Sequence, residues 1–206
     1  MKLTIFGASS ATGKLLVKKA LERGHAVNAF VRDETKLEIT SPMLRLICGD
    51  ALNASDVDAA VRGTEAVLST MGPNGKPRVM AAQSTKLIVE AMETHRVKRL
   101  VIVSVAGVAV AEDERKANLI DGLIRLLLKD VFVDRENRLA VLASSNVDWV
   151  AVRVPRLTDD AATGSVRMVF GNPSPGWKVT RADLAEFMLQ QLNQDKWVGK
   201  APILSN

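Results

Sequence analysis

The segment Gly7-Ala8-Ser9-Ser10-Ala11-Thr12-Gly13 joins the apolar run 3–6 to a stretch of helical period. Residues of these types in that place suit a pyrophosphate. Glycines allow a tight turn and close backbone approach, while the free N–H groups and the dipole at a helix start face the anion. Alone, such a loop is equally an ordinary turn between a strand and a helix. A second apolar run, 26–31, ends at Arg32, where dinucleotide sites carry an acid for the ribose of NAD or an Arg for the 2′-phosphate of NADP. The planar fork of Arg32 matches a phosphate, so NADP(H) is expected ahead of NAD(H), with Asp33 beside it as the NAD-type alternative.

Equally informative is what is missing. The 206 residues include no Tyr, one Cys (Cys48) and two His (His25 and His95). Without Tyr there is no phenol to act as a general acid. Cys48 alone forms no internal disulfide, and one Cys with two distant His makes no structural zinc site. His25 precedes the second strand and His95 follows a long helix, so neither is placed for acid–base work, and no Ser-His-Asp arrangement is expected. An apolar fraction of 47% with 25% charged residues excludes a disordered chain. The net charge of +5 comes from scattered Lys and Arg, with pairs only at Lys18-Lys19 and Lys98-Arg99. No nucleic-acid partner is expected from that pattern. Apolar runs such as 100–103 and 126–128 are far too short to span a membrane, and residues 1–6 lead straight into a strand. A cytoplasmic protein without membrane contact is the expectation.

The elements that must position these residues follow from periodicity. Strands are predicted at 3–6, 26–31, 44–48, 66–70, 100–104 and 149–153, alternating with helices at 12–23, 55–62 (capped by Ser55), 78–95 and 135–144. That alternation predicts an α/β protein: a Rossmann-like, doubly wound parallel β-sheet with helices on both faces. The charged stretch 111–118 reads as exposed, and the apolar stretch 119–128 as a buried helix or a lid. The remainder, with 165–170, 177–179, a helix over 181–192 and 201–204, reads as a small C-terminal cap on the sheet edge. One NAD(P)-binding domain, 1–206, is the simplest organisation.

Several motifs now stand together: Phe6-Gly7-Ala8-Ser9-Ser10-Ala11-Thr12-Gly13, Val31-Arg32-Asp33, Gly49-Asp50, the loop after Thr70, Val103-Ser104, Val152-Arg153-Val154-Pro155 and Thr180-Arg181-Ala182-Asp183-Leu184-Ala185. With them the chain resembles the atypical, NmrA-like branch of the short-chain dehydrogenase/reductase superfamily, the small NAD(P)-binding proteins like biliverdin-IXβ reductase/flavin reductase. Ser10 stands where that family has the middle glycine of Gly-x-x-Gly-x-x-Gly. The resemblance implies phosphate contacts from Ser10, Ala11 and Thr12 within the loop that Gly7, Ser9 and Gly13 shape. It further implies that Arg32 meets the 2′-phosphate, Asp50 and Ala51 the adenine, Thr70, Met71 and Gly72 the ribose, and Ser104 and Pro155 the nicotinamide.

The superfamily's usual Tyr-x-x-x-Lys is absent; the corresponding stretch reads Val133-Asp134-Arg135-Glu136-Asn137-Arg138. Asp134 and Glu136 are expected at an exposed helix start. The catalytic residue is unassigned, with Ser104 the one candidate. Hydride transfer to a planar acceptor needs mainly orientation, because the cofactor carries the chemistry. The expected function is an NADPH-dependent reductase of a flavin, a tetrapyrrole or a quinone. The acceptor would lie among Met71, Val105, Val108, the segment 119–132 and Val154, drawn in by Lys76 and Arg156. The missing phenol is also compatible with a non-catalytic NADP(H)-binding redox sensor or regulatory protein.

Overall fold

A computed structural model describes residues 1–72, 80–106, 108, 110, 129–170 and 178–206. Residues 73–77 of the expected loop 71–77, Lys76 among them, the charged stretch 111–118 and the apolar stretch 119–128 lie outside the described residues. An eight-stranded sheet runs in the order β3-β2-β1-β4-β5-β6-β10-β8. Its strands are β1 (Lys2–Phe6), β2 (Ala26–Val31), β3 (Leu44–Cys48), β4 (Ala66–Ser69), β5 (Arg99–Val105), β6 (Asp148–Val154), β8 (Arg167–Val169) and β10 (Ile203–Ser205). All neighbours are parallel except β10 and β8, which pair antiparallel. Two further strands, β7 (Arg156–Thr158) and β9 (Lys178–Thr180), form a separate parallel pair.

Residues of β1 alternate between the two faces of the sheet. Leu3 and Ile5 pack in one apolar cluster with α1 (Ala11–Glu22) and α5 (Arg181–Gln190). Phe6 packs in the other with α2 (Ala54–Val61), α3 (Ala81–Thr94) and α4 (Lys129–Ala143). Cover on both faces explains why the central strands are apolar nearly throughout. Thr4, wholly buried on the α2 side, satisfies its hydroxyl by donating to the Ala60 carbonyl at 2.6 Å.

Several expectations are corrected. The C-terminal segments do not merely cap the sheet, because β10 and β8 extend it beyond β6. Helix α2 is capped by Asn53, whose Oδ1 accepts from the Ser55 and Asp56 N–H groups, and not by Ser55. Helix α4 already includes Lys129, five residues ahead of Asp134, so Asp134 is not at its start. Asp134 is 3% exposed, and its carboxylate accepts from the N–H groups of Met80 (3.2 Å), Ala81 (2.8 Å) and Ala82 (2.9 Å). Met80 itself offers α3 no side-chain cap, so a carboxylate from a neighbouring helix closes this helix start.

The strand order reverses between β1 and β4, and the loops leaving these strands meet there. Gly7 has φ +76°, and a Cβ on it would lie 3.0 Å from Thr70 Oγ1 and from the Met71 nitrogen. A Cβ on Gly13 would lie 2.1 Å from the Gly7 carbonyl oxygen, closer than any packing tolerates. Gly13→Ala is therefore expected to destabilise the protein by about 2 kcal/mol or more, read from urea unfolding. Stability within error of the wild type would show that the loop lifts away from α1 at little cost.

Asp183 joins three otherwise separate segments at the far side of the sheet. Its carboxylate accepts from Thr163 N (2.9 Å), Thr163 Oγ1 (2.9 Å), Gly164 N (3.1 Å), Thr180 Oγ1 (2.8 Å) and Asn206 Nδ2 (2.6 Å). Burial pushes this carboxyl upward, but the bonds from Thr163, Thr180 and Gly164 outweigh it and hold the group below its ordinary value of 3.8. The stabilisation is thus present above that ordinary value and is lost as pH falls through the lower folded-state value. Asp183→Asn should unfold at lower urea than the wild type at neutral pH, with the gap shrinking in acid below the ordinary carboxylate range. A gap of constant size across that range would mean that the charge on Asp183 contributes nothing.

Candidate cofactor site

Two connected chambers open at the carboxyl ends of the strands, where ligands of open α/β sheets sit. The first, of about 570 Å³, is lined by Gly7, Ser9, Ser10, Arg32, Asp50, Ala51, Thr70, Met71 and Gly72 among others. The second, of about 340 Å³, shares Thr70, Met71 and Gly72 and adds Thr12, Ser104 and Pro155. The strand-end residues singled out in the sequence therefore converge on one cleft. Ala11 and Gly13 line neither chamber; Ala11 is exposed at the start of α1, and Gly13 is buried beneath the loop.

Ser10 takes the place of a glycine without strain, because its φ of −71° suits any residue. It is the cap of α1: Oγ accepts from the Gly13 N–H at 3.0 Å, and its own N–H donates to the Gly7 carbonyl at 2.9 Å. Ser10 Oγ also lies 3.2 Å from Thr70 Oγ1, which in turn donates to the Gly7 carbonyl at 3.1 Å. These bonds lock the glycine loop to the loop after β4. The start of α1, with its dipole, faces the cleft through Ser10 and Thr12 and provides a cradle for an anion.

At the far end of the first chamber stand Arg32 and Lys36. Asp33 caps the helical turn Glu34–Lys36, with Oδ1 accepting from Thr35 Oγ1 (2.6 Å) and Thr35 N (3.1 Å), and with Lys36 Nζ 3.5 Å from Oδ2. The bonds from Thr35, and then the charge of Lys36, hold its carboxyl below the ordinary value. Asp50 is likewise engaged, its Oδ1 accepting from the Leu52 N–H at 3.0 Å.

Sequence reasoning missed the other wall. Met80, Ala81 and Ser84 at the start of α3, and Arg135 and Arg138 on α4, line the first chamber, and Arg135 lines the second as well. The one available signal was the spacing Asp134-Arg135-x-x-Arg138, which puts Arg135 and Arg138 on one side of a helix. Arg138 is 1% exposed and donates to the carbonyls of Val103 (2.8 Å) and Ala81 (3.4 Å). Burial, and then the charge of Arg135, lowers its guanidinium to about 9. Of the residues expected around an acceptor, Met71, Val105 and Val154 line the second chamber. Val108 and Phe132 line neither, and Arg156 is exposed and lines neither. Among the described residues there is no group of three or more His, Cys, Asp or Glu able to hold a metal, and no helix long and apolar enough to cross a membrane.

Known proteins resemble this chain in sequence and in fold. An uncharacterized chloroplastic protein of Arabidopsis thaliana is 28% identical over 95% of this chain and 73% of its own. The chain spans about half the length of the sterol-4-alpha-carboxylate 3-dehydrogenases of mouse and human that it matches, at 25% and 24% identity. A short-chain dehydrogenase/reductase from Veillonella parvula, solved in complex with NADP, superposes with a TM-score of 0.84 at 17% identity, covering 100% of this chain and 94% of that one. The anaerobilin reductase ChuY from Escherichia coli O157:H7 superposes with a TM-score of 0.80 at 20% identity, covering 99% and 96%. At these identities the solved structures establish the Rossmann-like fold. Residues 7–195 match the NAD(P)H-binding family model, a span that takes in the glycine loop and the chamber-lining positions from Gly7 to Ala51, Thr70 to Gly72, Ser104 and Pro155; the chain belongs to that NAD(P)H-binding family.

Proposed function

We propose that the protein is an NADPH-dependent reductase that passes hydride to a planar conjugated acceptor seated in the second chamber. The observation carrying this reading is the pairing of a first chamber suited to a phosphorylated dinucleotide with a second that offers orientation and, among the described residues, no carboxylate or imidazole. Arg32 and Lys36 form the cationic end of the first chamber, while Asp33, the residue suited to an unphosphorylated ribose, is engaged with Thr35 and Lys36. Both facts favour NADP(H) over NAD(H). The start of α1 and the glycine loop would hold the pyrophosphate, Asp50 and Ala51 the adenine end, and Thr70 to Gly72 the link between the chambers.

When bound there, NADPH supplies the hydride and both electrons. Ser104 and Pro155 at the ends of β5 and β6 would flank the nicotinamide, and Val105 and Val154 would give a flat acceptor apolar cover. The chain has no Tyr to donate a proton, and water can supply the proton that completes the reduction. A flavin, a linear tetrapyrrole or a quinone accepts hydride on these terms. The anaerobilin reductase among the structural relatives supports a tetrapyrrole as one such acceptor.

NADPH oxidation, followed by its absorbance with FMN, riboflavin, biliverdin and quinones in turn, should proceed with at least one of them. Tight nucleotide binding without turnover on any acceptor would overturn the reductase reading. Arg32→Ala should weaken NADPH by roughly 10- to 100-fold in a fluorescence titration while leaving NADH nearly unchanged. Equal losses for both nucleotides would show that Arg32 does not read the 2′-phosphate.

A further inference from the structure

Among the described residues, the second chamber is lined by no carboxylate, imidazole, thiol or amine; its polar groups are hydroxyls and guanidinium groups. Three of these residues have a buried atom without a hydrogen-bond partner, and two of the three, Ser104 and Arg135, are themselves buried, while Arg181 Nη1 faces Asp159 as an ion pair. Ser104 is 2% exposed and its Oγ has no hydrogen-bond partner; Arg135 is 4% exposed and its Nε has none. A native protein rarely leaves such atoms empty-handed without a functional reason.

The neighbouring charges are already engaged. Asp134, next to Arg135 in the chain, accepts the three N–H groups that open α3. Arg138 is bound to the Val103 and Ala81 carbonyls, and Arg181, the other guanidinium in the second chamber, lies 2.8 Å from Asp159. Burial pushes the Arg135 guanidinium below its ordinary value and Asp134 pulls it back, yet a guanidinium remains a cation at neutral pH. The wall shared by the two chambers thus carries a buried positive charge whose Nε lacks an acceptor. The cofactor's own anions have other partners, namely the start of α1 for the pyrophosphate and Arg32 with Lys36 for the 2′-phosphate.

We propose that Arg135 binds an anionic oxygen of the acceptor, a carboxylate or a phosphate, with the Ser104 hydroxyl as a second donor in the same chamber. The acceptor is then a planar molecule that carries an acidic side group. Arg135 takes the role that the sequence had suggested for Arg156 and Lys76. This inference rests on the reductase reading and narrows its substrate class. The guanidinium fork suits both a carboxylate and a phosphate, and the choice of ligands below separates them.

The test is an equilibrium titration of the NADP⁺-loaded protein with FMN, biliverdin and riboflavin, by flavin fluorescence or tetrapyrrole absorbance, for the wild type and for R135Q, R135K and S104A. R135Q should weaken the ligand with the matching anion, FMN for a phosphate or biliverdin for carboxylates, by roughly 10- to 100-fold. Uncharged riboflavin should change little, S104A should cause a smaller loss, and R135K should regain part of the affinity. NADP⁺ affinity of R135Q close to wild type shows both that the variant folds and that Arg135 is not the pyrophosphate anchor. A loss concentrated in NADP⁺ binding, an equal loss for riboflavin, or no loss at all would each overturn the inference. Arg135-dependent binding without NADPH oxidation would retain it and remove the reductase reading. NADPH oxidation indifferent to R135Q would do the reverse, and a wild-type protein that binds none of the three ligands would remove both.

Discussion

The carboxylate of Asp134 is the contact on which one whole side of the cleft depends. Helix α3 starts in a partly buried place with no cap of its own, and each of the three N–H groups there, left without an acceptor, would carry a desolvation penalty of up to about 1–3 kcal/mol. A side chain from α4 meets all three. The same helix sends Arg138 to carbonyls at the start of α3 and near the end of β5, so helix, helix and strand are fixed by two charged residues four positions apart. Arg135 lies between them, and its place in the cleft follows from that double attachment. The acid also keeps the helix start from serving as an anion site, which leaves α1 as the helix dipole turned toward the glycine side of the cleft.

The opposite side is built by steric exclusion. Gly13 permits α1 to sit directly against the Gly7 carbonyl, and the left-handed backbone of Gly7 brings the loop against Thr70. Hydroxyls then replace the missing middle glycine. Ser10 caps the helix, and the chain Gly13 N, Ser10 Oγ, Thr70 Oγ1 and Gly7 carbonyl closes the turn from inside. The cleft therefore has one wall shaped by the absence of side chains and another held by buried charge.

These two walls differ in how far the sequence discloses them. Glycine spacing, strand ends and the Arg after β2 are local signals, and β2 and β3 appear at the residues where their apolar runs start and stop. The Asp134 cap is a contact across 52 to 54 residues, and no local pattern encodes it. Charged residues on a helix read as a solvated face, so Asp134 and Arg135 look exposed in the sequence although both are buried. β7 has three residues, too few for an alternating pattern to stand out. Arg156, expected to draw in an acceptor, is exposed and lines neither chamber although it follows Pro155 directly in the chain.

The lining of the second chamber has a consequence for its electric field. The described residues there are apolar or carry hydroxyls and guanidinium groups, so the side chains among them give an occupant a field of positive sign. Whatever enters the chamber is sorted there by its shape and by its own charge.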